Sequence, residues 1–532
     1  MSLSERVQAR AEDRRWLILG VLCFSLLVIV LDNSILNVAL PAIVRELNAT
    51  NTQLQWVVDS YTLVFAGLLL TAGSLGDRFG RRPALQVGFV LFGLGSLASA
   101  MASSPMALIV SRGSMGVGAA FIMPATLSII TNVFPARERG KAIGVWAATA
   151  GVGAALGPLA GGFLLEHFYW GSVFLVNLPI VAVGLVAGLF LIPDSKDPSA
   201  PRLDPLGAVL SMVGLATVLF AIIEAPKNGW TDPTTIVAFL VGAMLLGGFA
   251  WWELHCDHPM LDFNFFRNPR FSAASAAITL TFLAMFGSVF VLSQYLQFVL
   301  GYTPLQTGVR LLAFAVPMMI IAPVSPRFVH HFGTKYVVAA GMALTTCGLL
   351  LMSFAPVDAT YSDIVWRMVI MASGLALTMA PGTESIMGSL PLAKAGVGSA
   401  VNDTTRQVGG ALGVAVLGSV FTSIYSAQIA DRLAGQGVPA SALTEAQDSL
   451  GGALGVASTV GGRLGQTVMD AARAAFMDGF HAAARAGAVI TLLGVVITLV
   501  WLPAHARQRD VDLQAGEFAA EHLPSTADAV AT

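Results

Sequence analysis

Residues 16–41 read WLILGVLCFSLLVIVLDNSILNVALP, an apolar run that is long enough to cross a bilayer as a helix. This run contains one carboxylate, Asp32. An ionisable side chain at the centre of a membrane span costs about 2.5–3.5 kcal/mol on insertion scales. A membrane protein that accepts this cost usually needs the charge for function, so Asp32 is the first candidate site residue.

The rest of the composition agrees with a membrane protein. Of the 532 residues, 55% are apolar and only 11% are charged, whereas a soluble domain is about 25% charged. We therefore predict an all-α integral membrane protein with 14 transmembrane helices. The apolar runs lie at about 16–39, 54–74, 84–103, 105–133, 141–165, 172–192, 206–225, 234–255, 272–300, 307–326, 336–355, 361–386, 404–426 and 482–502.

The positive residues predict the orientation. An even number of spans places both termini on one side, and most Lys and Arg residues then fall at the N-terminus, in the loops on its side and in the tail. Positive residues in short loops mark the cytoplasmic side. We therefore expect both termini in the cytoplasm. Arg14 and Arg15 precede a full-length span without a small-residue cleavage site, so we expect an anchor rather than a signal peptide.

Short strings recur in the second half of the chain. Ile109-Val-Ser-Arg112 returns as Ile364-Val-Trp-Arg367, and Phe79-Gly-Arg-Arg82 returns as Phe332-Gly-Thr-Lys335. This pattern predicts two parallel six-helix halves, an architecture that transporters use. The predicted parts are a cytoplasmic N-terminus (1–15), an N-terminal half (16–192), a linker with two inserted spans (193–270), a C-terminal half (271–502) with an outer loop at 427–480, and a cytoplasmic tail (503–532).

The string Gly73-Ser-Leu-Gly-Asp77-Arg78-Phe-Gly80-Arg81-Arg82-Pro83 lies in the predicted cytoplasmic turn between spans two and three. Its acid can pair with the neighbouring arginines, and a charged turn of this kind can hold one arrangement of helices and release another. We call it the clasp. The simpler alternative is that these charges only fix the topology. The clasp residues are Asp77, Arg78, Gly80, Arg81 and Arg82.

Together with Arg112-x-x-x-Gly116-x-Gly118, the clasp resembles the major facilitator superfamily. Gly153-x-x-x-Gly157-Pro158-x-x-Gly161-Gly162 resembles that superfamily's antiporter motif. Fourteen spans, Trp56-x-x-x-x-Tyr61 and Tyr295-Leu-Gln297 resemble its EmrB/QacA-type drug:proton antiporters. The resemblance implies multidrug efflux across a bacterial-type inner membrane, antibiotic resistance, and alternating access driven by a proton gradient without a cofactor.

Three charged residues fall at similar depth. Asp32, Asp59 and Arg112 each lie five to seven residues from the outer ends of their spans, roughly 8–12 Å deep at 1.5 Å per residue. We expect a cluster in which Arg112 neutralises a carboxylate, and either Asp32 or Asp59 binds the proton or the substrate. The alternative for Asp59 is an interfacial carboxylate that water reaches.

Two further groups of residues are candidates. Polar and aromatic side chains that suit a cavity for lipophilic cations are Asn37, Trp56, Tyr61, Gln294, Tyr295 and Gln297. Packing or interfacial anchoring explains each aromatic equally well. Charges near the cytoplasmic ends of spans twelve and thirteen form either a gate or a solvated loop: Glu384, Asp403 and Arg406. In the antiporter motif, the glycines and Pro158 allow close helix contact and bending.

Competing functions leave different traces. An exporter of an endogenous metabolite or lipid would share every feature above. A non-transporting membrane sensor predicts a folded soluble module, and an enzyme predicts a catalytic constellation; neither is visible. The scattered cysteines have no metal-ligand spacing, and no phosphate-binding loop is present. We expect a small-molecule substrate, protons and the lipid bilayer as partners, and no nucleic acid; partner proteins are left open. Span ten has no carboxylate, unlike some members of the family that the chain resembles, which handle dications; the resemblance therefore implies monovalent or neutral substrates.

Overall fold

The computed structural model describes residues 14–134, 136–195, 204–257, 259, 261, 263–390 and 395–504. All regular structure in these ranges is helical, which confirms the all-α class for them. The predicted N-terminal segment and tail lie almost entirely outside the described residues, as do linker residues 196–203.

The helices follow one another with short connections. Short 3-10 helices cover Phe263–Arg267 and Leu312–Phe314. A π-helical turn, which we call the π-turn, covers Tyr295–Val299. The α-helices in chain order are α1 (Arg15–Leu47), α2 (Asn51–Phe79), α3 (Arg81–Ala100), α4 (Pro105–Val133), α5 (Ala136–His167), α6 (Ser172–Leu175), α7 (Asn177–Leu191), α8 (Pro205–Asn228), α9 (Pro233–His255), α10 (Pro269–Gln294), α11 (Pro304–Leu311), α12 (Ala315–Ile321), α13 (Ser325–Phe332), α14 (Thr334–Met352), α15 (Tyr361–Met387), α16 (Ala395–Leu433), α17 (Ala440–Asp448), α18 (Leu450–Val460) and α19 (Gly462–Trp501).

The number of membrane spans is close to the prediction. Among the described residues, 12 helical segments are long and apolar enough to cross a membrane, or 13 if α2, which bends by 50°, counts as one span. The 32-residue helix α5 covers the fifth predicted run, although it does not meet the same criterion. A multi-pass helical membrane protein is therefore confirmed, while the number fourteen stays a prediction.

Several helix starts follow from one local pattern. A polar side chain accepts a hydrogen bond from a backbone N–H of the first turn, and a proline follows it at the first helical position. This pattern satisfies an otherwise free donor and needs no N–H where the proline sits. The pairs are Ser104-Pro105, Asp204-Pro205, Asp232-Pro233 and Asn268-Pro269.

Close helix contacts occur twice at matching places. A Cβ on Gly118 of α4 would lie 2.7 Å from the Gly88 carbonyl of α3. Likewise, a Cβ on Gly374 of α15 would meet the Gly341 carbonyl of α14. The turns before α3 and α14 also match, because Arg81 N donates to Ser195 O (3.0 Å) and Thr334 N donates to Ala504 O (2.8 Å).

The helices next to the predicted outer loop are longer than expected. α16 extends to Leu433 and α19 begins at Gly462, whereas the predicted spans ended at 426 and began at 482. The extensions are rich in alanine, which favours helix but adds too little apolar surface to read as membrane span. Residues 434–461, with α17 and α18, form what we call the cap, and the end of the bundle beneath it is the cap end.

The helices that were predicted as an insert pack at one side of the bundle. α8 lies against both α2 and α16. Leu219 and Ile223 of α8 form one apolar cluster with Leu63 of α2 and Ala411 and Ala415 of α16. The insert therefore bridges a helix from each of the two predicted halves.

Candidate functional site

Asp32 and Arg112 form an ion pair inside the bundle. Arg112 Nη1 donates to Asp32 Oδ2 at 2.5 Å, and Asn177 Nδ2 donates to Asp32 Oδ1 at 2.8 Å. The amide of Asn177 also donates to Ser96 Oγ at 2.9 Å. Asp32 is 2% exposed and Arg112 is 0% exposed. Both oxygens of the Asp32 carboxylate are thus hydrogen-bonded, which a charge needs if it is to persist in a dry interior.

The guanidinium of Arg112 is also held from other sides. Its Nε donates to the carbonyl of Val57 at 3.3 Å. Its Cζ lies 4.4 Å from the ring centroid of Tyr61 and 5.9 Å from that of Phe174. Aromatic faces attract a cation most strongly where water is absent. Helices α1, α2, α4 and the α6–α7 segment therefore converge on the charge of Arg112. We call Arg112, Asp32, Asn177 and Ser96 the buried charge cluster.

Asp59 does not join the buried charge cluster. It is 0% exposed, and neither of its carboxylate oxygens has a hydrogen-bond partner among the described residues. Gln55 and Leu63 lie one helical turn before and after it, on the same face of α2. Gln55 hydrogen-bonds to Ser419 and Thr422 of α16, and Leu63 packs against α8 and α16. Asp59 therefore belongs to the face of α2 that contacts the insert and the second half.

The antiporter motif forms the contact between α5 and α1. A Cβ at Gly153 would lie 3.1 Å from Val30 Cβ, and one at Gly161 would lie 3.2 Å from Ile35 Cγ2. Between them, a Cβ at Gly157 would collide with Ser34, whose Cβ would be only 2.7 Å away. Ser34 Oγ lies 3.2 Å from Gly153 O and donates to it. Glycines four residues apart thus let α5 lie directly beside the helix that carries Asp32.

The opposite side of the motif contacts α11. A Cβ at Gly162 would lie 2.5 Å from Leu305 Cα, and one at Gly308 would collide with the carbonyl of Pro158. The five motif residues therefore connect α1 on one face of α5 with α11 on the other. Movement of α11 against α5 would therefore change the packing of the motif residues.

Polar contacts also join the two predicted halves near the cap end. Gln297 Nε2, in the π-turn, donates to Val38 O of α1 at 2.9 Å. Gln55 of α2 contacts α16 through Thr422, at 3.4 Å. Together with the α5–α11 contact, these bonds hold the described bundle closed at its cap end.

The predicted cavity residues do not form one group. Tyr61 lies against Arg112, whereas Trp56 Nε1 donates to Glu224 of the insert at 3.3 Å. Asn37 Nδ2 donates to Asn33 O within α1. Gln294 Nε2 donates to Phe290 O, and Tyr295 OH donates to Pro356 O at 2.8 Å. Gln297 lies beneath the cap, where it contacts Val38.

The clasp forms a local network. Arg81 Nε donates to Asp77 Oδ1 at 2.8 Å and its Nη1 donates to Ser128 O of α4 at 3.3 Å. Gly80 has φ +126°, and a Cβ there would lie 2.8 Å from Asp194 Oδ1. Arg78 lies over the ring of its neighbour Phe79 at 5.8 Å, and Arg82 is half-buried. The clasp thus ties the ends of α2, α3 and α4 together.

The predicted gate is only partly assembled. Arg406 Nη2 donates to Thr383 Oγ1 at 2.9 Å, while its Nη1 is 3.9 Å from Asp403 Oδ1. The side chain of Glu384 is exposed. Thr383 rather than Glu384 is therefore the α15 partner of Arg406.

Sequence reasoning did not find some residues of the site. Asn177 is a polar residue inside the apolar run 172–192, and that position was its available signal. Ser96 gave no signal, because serine is common in packed membrane helices. Glu224 was visible as an acid near the end of its span, but nothing in the chain indicated its partner Trp56.

Known proteins are similar to this chain in sequence and in fold. The family model of the Major Facilitator Superfamily matches residues 22–414. The multidrug efflux pump LfrA of Mycolicibacterium smegmatis is 35% identical over 493 residues, which cover 92% of this chain and 96% of that protein. The tetracenomycin C resistance and export protein of Streptomyces glaucescens is 32% identical over 504 residues, 93% of each chain.

A solved structure supports the same fold. The inward-facing, unoccupied structure of a bacterial homolog of the human lysosomal transporter Spinster has a TM-score of 0.64 at 17% identity, and the match covers 94% of this chain and 98% of that one. With relatives named as efflux and export proteins, the function is transport rather than catalysis. The chain belongs to the major facilitator superfamily, as a multi-pass membrane transporter.

Proposed function

We propose that this chain is a proton-coupled antiporter of the EmrB/QacA type that exports lipophilic, cationic drugs. The relatives named for multidrug efflux and for resistance and export support drug export. The observation that carries the proton coupling is the pair of buried acids with opposite surroundings: Asp32 is fully hydrogen-bonded and Asp59 has no partner among the described residues.

The two acids divide the work in this proposal. Arg112 and Asn177 each donate a hydrogen bond to the carboxylate of Asp32, and a cationic substrate competes with Arg112 for this carboxylate. Asp59 takes up and releases the proton, because an unpaired buried carboxylate is far more costly as an anion than as a neutral acid. Its place on the face of α2 that contacts α8 and α16 exposes it to any change in that contact. Antiport requires that substrate and proton disfavour each other's binding, and linkage makes this effect equal in both directions.

The proposed cycle is alternating access between two six-helix halves in a fourteen-span topology. Both termini are cytoplasmic and the cap is on the outer side of the bacterial inner membrane. The contacts of α5 with α11, α1 with the π-turn, and α2 with α16 then close the outer side, so the described arrangement receives substrate from within. The glycine contact of α5 is where the halves rock, and the clasp holds the inner side.

The test is transport in sealed vesicles under an imposed pH gradient. Purified protein is reconstituted into vesicles, and the vesicles are loaded with ethidium as a fluorescent monovalent cation. Transport by the wild type is compared with that by the Asp32→Asn and Asp59→Asn variants. Both variants are expected to lose gradient-driven transport, whereas Asp470→Asn, an exposed acid on α19, leaves it unchanged. Transport by a well-inserted Asp32→Asn variant at the wild-type rate contradicts the role of the cluster.

A second candidate is the export of a natural product by the same mechanism. The relative named for tetracenomycin C export favours it. In the same vesicles, gradient-driven movement of an uncharged polycyclic compound without movement of ethidium decides for this candidate. A non-transporting sensor finds no support in the relatives.

A further inference from the structure

A cavity of about 400 Å³ lies at the cap end, away from the buried charge cluster. The end of α1 and the π-turn form its floor, and α17 and α18 of the cap form its roof. Its size falls in the range of small-molecule sites, roughly 300–1,000 Å³. Its lining includes Val44, Arg45, Gln297, Phe298, Glu445 and Asp448.

The walls of this cap cavity are fixed by packing. A Cβ on Gly451 of α18 would collide with Val44 of α1 and would lie 3.5 Å from the ring of Phe298. The hydroxyl of Tyr425, in α16, donates to the carbonyl of Ala446 at 2.8 Å. The cap is thus packed onto α1 and the π-turn and bonded to α16, and the space beneath it is a built cavity rather than a gap under a loop.

Gln297 offers an unused acceptor at the floor of the cavity. It is only 6% exposed, and its Nε2 is bonded to Val38 O. Its Oε1 is buried and has no hydrogen-bond partner among the described residues. A buried amide oxygen without a partner costs free energy, and a ligand N–H that reaches it from the cavity would satisfy it.

The charges on the walls favour a cation. Glu445 and Asp448 bring two carboxylates from the cap, and Arg45 brings one guanidinium, 5.8 Å from the ring centroid of Phe298. The cavity therefore carries a net charge of one negative unit. Lys227, at the end of α8, also acts on Asp448 but does not line the cavity. Val44 and Phe298 add apolar surface beside these charges.

We infer that the cap cavity binds an organic monocation that has N–H donors, at a second site separate from Asp32. The carboxylates of Glu445 and Asp448 balance the charge, and Gln297 Oε1 accepts the N–H. The inference rests on the proposed export of cations and gives it an exit-side site. The side-chain amide of Gln297 also donates to Val38 O of α1. A ligand that hydrogen-bonds to this amide therefore acts directly on one of the contacts that close the cap end.

The test is equilibrium binding of ethidium, a planar monocation with two amino groups, to the protein in lipid nanodiscs. Wild type is expected to bind two ethidium molecules per chain. The variant Glu445→Gln with Asp448→Asn should weaken one site about tenfold or more and leave the other unchanged. Asp32→Asn should keep the cap site, and Asp470→Asn should bind like wild type.

The outcomes separate this inference from the proposed function. Two unchanged sites in the Glu445→Gln/Asp448→Asn variant overturn the cap site, as does loss of all binding in a folded Asp32→Asn variant. Gln297→Leu should weaken ethidium at the cap site more than it weakens tetraphenylphosphonium, which has no N–H; equal losses contradict the role of Oε1. Absence of pH-driven ethidium transport with an intact cap site would instead overturn the proposed function alone.

Discussion

Arg367 occupies in α15 the place that Arg112 occupies in α4, yet of these two arginines only Arg112 forms a close ion pair with a carboxylate among the described residues. Nε and Nη1 of Arg367 are buried without a hydrogen-bond partner in the described part of the chain. Helix α10, the counterpart of α1, contains no acid that could play the part of Asp32. The repeat thus keeps the arginine in both halves and places the ion pair in the first half alone.

The buried pair should show strong coupling when its partners are removed one at a time. Removing one member of a buried ion pair costs about 3–5 kcal/mol, since the other charge is left without compensation. Arg112→Met is therefore expected to lower the thermal unfolding midpoint in nanodiscs strongly. The double variant Asp32→Asn/Arg112→Met should recover most of that loss. Additive losses from the two single variants would show that the pair is not a unit.

Asp59 should behave in the opposite way. An apolar residue of similar volume removes a buried polar group that has no partner, so Asp59→Leu is expected to stabilise the fold by about 1–3 kcal/mol. The same variant should lose proton release when substrate is added, measured with a pH-sensitive dye in weakly buffered detergent solution. Asp470→Asn, exposed on α19, is the control for both measurements. A destabilised Asp59→Leu protein would mean that Asp59 has a stabilising partner.

The sequence predicted the class of fold and a buried contact between Arg112 and a carboxylate, without deciding between Asp32 and Asp59, because both depend on simple quantities. Run length decides whether a helix can cross a bilayer, and equal depth placed Asp32 and Arg112 together. Which neighbouring helix a side chain contacts was harder to predict, because the depth of a residue in the membrane does not determine it. Asp59 shares that depth but lies on the face of α2 whose neighbours Gln55 and Leu63 contact α16 and α8. Trp56 bonds to Glu224 of the predicted insert. The outer segment itself was predicted, but its role was not, because no motif marks it. Its helix α17 is polar, and α18 is apolar but only 11 residues long, too short to span a membrane.

The contact between α5 and α1 should tolerate no side chain at position 157, because Ser34 lies against Gly157. Gly157→Ala is expected to destabilise the protein by about 1–3 kcal/mol through overpacking and to reduce transport, since α1 carries Asp32. Gly151 is the matched control, because a Cβ there has nothing within 4 Å. Ser34→Gly in the Gly157→Ala background should restore both melting midpoint and transport. Equal behaviour of Gly151→Ala and Gly157→Ala would contradict the importance of this contact.

Asp448 should make the closed cap sensitive to pH. The surrounding protein partly removes its carboxyl from water and so raises its pKa above the ordinary value of 3.8; Lys227 opposes this rise and Glu445 adds to it. Asp448 then binds the proton more tightly when the cap is packed on the bundle (the closed cap) than when the cap has separated from it. The linkage relation therefore makes closure of the cap most favourable at low pH. Closure is expected to weaken as pH rises from 3.8 through the raised pKa. Hydrogen–deuterium exchange of α17 and α18, corrected for intrinsic rates, should show this trend in wild type. Asp448→Asn should remove it, and a trend that persists in that variant would assign it to another group.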